Sequence, residues 1–238
     1  GEYCTASFGT RLDDERRRNG RDEPWRGPLW CLGNEMDGSW QLGHSPAREY
    51  GTRAQQAAMQ MRLVNPDIET VACGSSMVDA TTYGTWDQEV LEVVGDQADF
   101  LSLHRYVGNL AGNLDGYLAV GAAIDRQIAE ADAICRSVQA TTRSTKRPYL
   151  CFDEWNVWYR NFEMDGGWQV APPLLEETYD LADALVVAQF LLAFIRRAEV
   201  VKVANLAQVV NVIAPLLTRG DDLLLQTTYH AFRKISQR

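Results

Sequence analysis

A chain of 238 residues, 46% hydrophobic and 23% charged, has room for one large domain or two small ones and shows no bias toward disorder. Its formal charge of −9, from 23 basic against 32 acidic residues, disfavours nucleic acid or an anionic membrane as partner and leaves a neutral ligand such as a sugar compatible. Five cysteines (Cys4, Cys31, Cys73, Cys135, Cys151), an odd number with no C-x-x-C, read as free thiols in a reducing compartment, the cytoplasm.

The chain opens at Gly1-Glu2-Tyr3-Cys4 without a Met or a capping element, which reads as a processed or an incomplete chain. Residues 5–28, rich in Gly, Arg and Asp, read as a solvated surface loop. A first strand is expected over 29–34. Ser45-Pro46 then predicts an N-cap and first helical position, and Tyr50, Ala54, Ala57, Ala58 and Met61 give the helix an apolar face. Asn65-Pro66-Asp67 stops it, a second strand covers 68–73 and a helix about 86–94. A third strand covers 100–104 and closes on Arg105-Tyr106. One long helix is expected from about 116 to 138, and a fourth strand over 149–154. The loop 157–177, with Gly166-Gly167, Pro172-Pro173, Trp158 and Trp168, is of a length that is usually functional or disordered. An apolar helix over 181–197, a fifth strand over 200–206 and a closing helix over 224–235 complete the chain. The longest apolar run, Ala184 to Ile195, is too short for a membrane span.

Near-continuous apolar strands alternating with helices predict a parallel sheet covered on both faces. No G-x-G-x-x-G follows the first strand, so a dinucleotide fold loses weight, leaving a (β/α) barrel or a piece of one. Barrel sites lie at the C-terminal ends of the strands. Those ends read Asn34-Glu35, His104 to Tyr106, Asp153-Glu154 and Ala207-Gln208. Two glutamates on two such ends are the minimal equipment of a glycoside hydrolase. Each could alone be a surface or capping residue; Trp155 reads as core, while Trp158 could be core or a ring that stacks on a sugar. His104 reads either as a satisfied core histidine or as a polar contact in the site. With no second His or Cys at ligand spacing and no G-x-S-x-G, neither a metal centre nor Ser or Cys nucleophilic chemistry is expected.

Four stretches resemble the α-L-arabinofuranosidases of glycoside hydrolase family fifty-one: Trp30-Cys31-Leu32-Gly33-Asn34-Glu35-Met36-Asp37-Gly38, His104-Arg105-Tyr106, Phe152-Asp153-Glu154-Trp155-Asn156-Val157-Trp158-Tyr159, and the run from Leu206 to Pro215. The resemblance extends from about Glu2 to Phe232. It implies an α/β fold, a (β/α)8 TIM barrel, of which this chain would hold strands four to eight. It also implies that Glu35 is the acid/base and Glu154 the nucleophile of a retaining mechanism, with the carboxyls about 5–5.5 Å apart. The charge of Glu154 would keep Glu35 protonated until the ester forms. Asn34 would bond the arabinose 2-hydroxyl, Tyr106 would aim the nucleophile with His104 nearby, Gln208 would contact the sugar and Trp158 would wall its pocket. No metal or organic cofactor is implied. The substrates implied are arabinofuranosyl-containing oligosaccharides, arabinoxylan or arabinan, with no nucleic acid or membrane partner; whole family members tend to form homo-oligomers.

Two departures stand out. Ser39 occupies a position that is usually Pro in the family. Strands one to three and the C-terminal β-sandwich have no counterpart in the 238 residues, so this chain alone is expected to be inactive or nearly so. Two other readings stay open: a related retaining xylanase or glucanase, and a non-catalytic module that binds sugar or a partner chain.

Overall fold

The computed structural model describes residues 1–7, 9–26, 29–159, 170 and 175–237. Most of the long loop expected over 157–177, with Trp168 and its Gly-Gly and Pro-Pro pairs, lies outside the described residues. The elements are α1 (Glu2–Thr5), α2 (Arg11–Arg18), β1 (Leu29–Cys31), α3 (Ala47–Val64), β2 (Glu69–Ala72), α4 (Thr85–Val94), β3 (Phe100–Val107), α5 (Leu114–Leu118), α6 (Val120–Thr142), β4 (Tyr149–Val157), α7 (Leu181–Arg196), β5 (Val201–Leu206), β6 (Leu216–Arg219), β7 (Asp222–Leu225) and α8 (Thr227–Ser236). The first five strands form one parallel sheet in chain order, and β6 and β7 form a separate antiparallel hairpin. In the sheet, Trp30 pairs with Thr70 and Val71 with Phe100.

The chain divides into two compact units, one of residues 1–103 and 131–151, the other of 104–130 and 152–238. In the first unit α3 and α4 bury Tyr50, Ala54, Ala58, Val90, Leu91 and Val94 around Val71 and Leu101. Each large side chain so buried contributes about 1.5–3 kcal/mol. Tyr50 stacks on Trp86 (5.6 Å, 20°). The Tyr50 hydroxyl accepts from Cys73 N–H at 2.7 Å, and the Trp86 indole donates to the Cys73 carbonyl at 3.1 Å. Both aromatics thereby fix the end of β2.

Several elements differ from expectation. The segment read as a solvated loop contains α2, opened by Thr10, whose hydroxyl accepts from Asp13 N–H at 3.0 Å. Arg16, fully buried, donates to the carbonyls of Tyr3, Ala6, Arg21 and Asp22 and to Asp13 at 2.5 Å. A guanidinium can be buried when its donors are all used, which an arginine run in sequence does not reveal. The Ser45 cap is not made; α3 starts behind Pro46 without a side-chain cap, and Ser45 accepts from Arg53 instead.

In the second unit, Trp155 is fully buried among Phe190, Phe194 and Phe232, as its core reading requires. The expected helix over 116–138 is two helices broken at Ala119. Gln189 of α7 enters at the break, accepting from Gly121 N–H and donating to Leu118 O. The expected closing helix starts later, because 222–225 forms β7 and turns back on β6 at Gly220, whose φ is +60°. Gln226 then fixes the corner, its amide bonded to Glu177 O, Ala214 O and Tyr179 N–H.

Candidate active site

In the first unit, β1 stops at Cys31, three residues short of expectation. Gly33, at φ +143°, turns the chain in a region reserved for glycine. A Cβ there would stand 3.0 Å from Met36 Cγ and 3.3 Å from Cys73 Sγ. Asn34 is exposed and Glu35 half-buried, with Glu35 in the left-handed region at φ +46°. A tight turn follows, Gly38 N–H donating to Glu35 O at 2.9 Å.

Two tethers hold this turn. The Trp40 indole folds over Gly38, where any Cβ would collide with its ring, and donates its N–H to the Glu35 carboxylate. Asp37 Oδ2 accepts from both the backbone N–H and the hydroxyl of Ser76, each at 3.0 Å. The adjacent Ser75 donates through N–H (2.6 Å) and hydroxyl (3.0 Å) to Asp87. Burial pushes the Asp87 carboxyl up to about 6, with the charge of Asp37 adding to the rise and the Ser75 bonds opposing it.

In the second unit the strands run three residues further than expected, β3 to Val107 and β4 to Val157. They carry His104, Tyr106 and Glu154 in regular strand geometry. The Tyr106 hydroxyl donates to Glu154 Oε2 at 2.8 Å. His104, 2% exposed, places Nδ1 3.5 Å from Glu154 Oε2 and Nε2 3.5 Å from Asp153 Oδ1. His104 is thus both buried and beside two carboxylates. Trp158 meets the Tyr106 ring edge-on at 5.1 Å. The fully buried Asn156 amide donates to Ala207 O (2.7 Å) and Ile213 O (2.5 Å), fixing the segment after β5. Gln208, next in that segment, is exposed and makes no side-chain hydrogen bond among the described residues. His104, Tyr106, Glu154 and Trp158 thus form one cluster. Sequence reasoning gave no role to Trp40, Asp37, Asp153 or Asn156. All four lie within a few residues of a glutamate already singled out, and that adjacency was the available signal.

Comparison with known proteins identifies the family. Residues 2–110 match the model of the α-L-arabinofuranosidase 1 domain, and residues 153–238 that of the α-L-arabinofuranosidase C-terminal domain. The chain belongs to the α-L-arabinofuranosidase family. It is 44% identical to an intracellular exo-α-(1→5)-L-arabinofuranosidase of Bacillus subtilis, over 99% of this chain and 48% of that protein. An exo-α-(1→6)-L-arabinofuranosidase of Bifidobacterium longum is 41% identical over 97% of this chain and 47% of its own. Among solved structures, a family 51 α-L-arabinofuranosidase of B. longum superposes with a TM-score of 0.91 at 34% identity, over 98% of this chain and 48% of that one. An arabinose complex of the Thermotoga maritima enzyme gives 0.82 at 31% identity, over 97% and 44%. The chain spans about half the length of the curated relatives it matches. No helix among the described residues is long and apolar enough to cross a membrane.

Proposed function

We propose that this chain is the portion of a (β/α)8 barrel, strands four to eight, that carries both carboxylates of a retaining exo-α-L-arabinofuranosidase acting inside the cell on arabinofuranosyl-containing oligosaccharides or polysaccharides. Glu154, ionised, attacks the anomeric carbon of a terminal arabinofuranosyl unit and forms an arabinosyl ester. Glu35 gives its proton to the departing oxygen, then takes one from the water that cleaves the ester. Tyr106 aims the nucleophile and His104 supports it; Asn34 bonds the 2-hydroxyl, Gln208 contacts the sugar and Trp158 walls the pocket.

The observation that carries this reading is the 2.8 Å bond from Tyr106 to a glutamate at the end of a parallel strand. A phenol donating to a carboxylate fixes its direction, and a nucleophile needs a fixed line of attack. The relatives' names and the matched family supply the sugar.

The test is release of nitrophenol from 4-nitrophenyl α-L-arabinofuranoside by the whole protein, with 4-nitrophenyl β-D-xyloside as the competing substrate. Glu154→Ala should lower arabinofuranoside hydrolysis by ~10⁴-fold or more. Full activity in that variant, or a preference for the xyloside, overturns the proposal.

A further inference from the structure

The chain leaving β2 is packed as a rigid seat. A Cβ on Gly74 would stand 2.2 Å from Ser102 O and 2.9 Å from Asp87 Oδ1, so the backbone there lies tight against both β3 and α4. The next two residues are serines, 1% and 4% exposed, and each takes a carboxylate from a different element. Ser75 gives its N–H and hydroxyl to Asp87 of α4 and accepts from Gly84 N–H at 3.4 Å. Ser76 gives its N–H and hydroxyl to a single oxygen of Asp37, Oδ2.

Asp37 stands inside the turn that carries Glu35. Glu35 O accepts from Gly38 N–H, and Met36 O accepts from Ser45 N–H at 3.2 Å, so bonded backbone lies on both sides of Asp37. A shift of its carboxylate therefore shifts the peptides that follow Glu35. That backbone needs holding, because Glu35 at φ +46° is in a left-handed conformation that is unfavourable for a residue with a Cβ. Two side chains reach the turn, and both tethers end on a carboxylate. The Trp40 indole is half exposed and competes with water for Glu35, whereas the donors to Asp37 come from a buried serine. Hydrogen bonds are stronger where the local dielectric is low, so the backbone of Glu35 is held mainly from Ser76.

Stability alone would not choose this arrangement. Asp37 Oδ1 is buried and takes no hydrogen bond among the described residues, and the charge of Asp37 pushes up the Asp87 carboxyl across the seat. A buried acceptor without a donor is destabilising, and so is a charge beside a buried carboxyl. Both penalties fall on the residue that joins the end of β2 to the Glu35 turn. We infer that Asp37 is a positioning residue for the acid/base: seated on Ser76, it holds the backbone of Glu35 so that the carboxyl meets the departing oxygen. The inference rests on the acid role proposed for Glu35.

The test compares kcat/KM of the whole protein on α-1,5-linked arabinotriose, whose leaving group needs a proton, and on 4-nitrophenyl α-L-arabinofuranoside, whose leaving group does not. Asp37→Ala should lower the value on arabinotriose about ten- to hundredfold, the range for losing hydrogen bonds to a charged group, and at least about threefold less on the aryl substrate. Ser76→Ala keeps the backbone N–H and should show the same split with a loss of about three- to tenfold. Asp37→Asn keeps an oxygen for both donors and should return arabinotriose hydrolysis to within about threefold of wild type. Equal losses on the two substrates, which a purely structural role would give, overturn the inference, as does an Asp37→Asn no better than Asp37→Ala. Glu35→Gln is the reference. If it shows the split and Asp37→Ala does not, the inference fails alone; if Glu35→Gln shows none, the acid role fails and the inference with it.

Discussion

Glu154 stands inside a nine-residue strand, whereas Glu35 stands on a turn that begins where a three-residue strand stops. The strand ladder sets the backbone of Glu154, and the 2%-exposed His104 and the Tyr106 hydroxyl set its side chain. Glu35 has a left-handed backbone, a conformation that costs about 1–3 kcal/mol for such a residue, and a tether from Trp40, which is 54% exposed. One carboxylate is held by regular structure and a buried histidine, the other by a side chain reaching across a turn. The difference suits the proposed chemistry. A nucleophile must keep one line of attack, while an acid/base must face first the leaving oxygen and then water.

The largest effect that would sharpen this contrast comes from Glu35→Gln in the whole protein. Nitrophenolate leaves without a proton, so the first step on the aryl arabinofuranoside should survive, whereas arabino-oligosaccharide hydrolysis should fall ~10²–10⁴-fold. Glu154→Ala should be blind to the leaving group. If both substrates lose equally in Glu35→Gln, the division of roles fails.

Next is the support beneath the turn. Asp87 has a folded value of about 6 against 3.8 unfolded, so the native state holds the extra proton between those values. The stability this contributes is full below about pH 4 and lost as pH rises to about 6; at 1.36 kcal/mol per pH unit the loss is about 3 kcal/mol. Asp87→Asn cannot titrate. In urea unfolding, the wild-type stability minus that of the variant should therefore fall by about that amount between pH 4 and 7. Parallel pH curves for the two proteins would show that Asp87 is not the group involved.

Much of this was legible beforehand. Apolar runs at Val71, Leu101 and Phe152 announce buried parallel strands, and Glu35 and Glu154 were singled out at the ends of the runs that begin at Leu29 and Tyr149. What hid was long-range pairing. Arg16 sits in an arginine run that looks solvated, and only folding brings four carbonyls around it. The Asp37 tether reaches Ser76, 39 residues away, and no periodicity encodes such a bond. Leu224 and Leu225 read as the start of a helix, but Gly220 turns them into a hairpin strand.

The two smallest effects weigh one tether against the other. Tyr106→Phe removes a donor to a charged group, worth about 1.5–3 kcal/mol, so kcat should fall about ten- to hundredfold with KM little changed. Trp40→Phe keeps a ring over Gly38 and removes only the indole N–H. Because Trp40 is half exposed, water can take over the Glu35 carboxylate, and the loss should be that of an ordinary hydrogen bond, about three- to tenfold on oligosaccharide. On the aryl substrate, which does not need the proton, Trp40→Phe should change the first step less still. A Trp40→Phe loss as large as that of Tyr106→Phe, and equal on both substrates, would mean that the turn is held as tightly as the strand and that the contrast between the two carboxylates is one of shape alone.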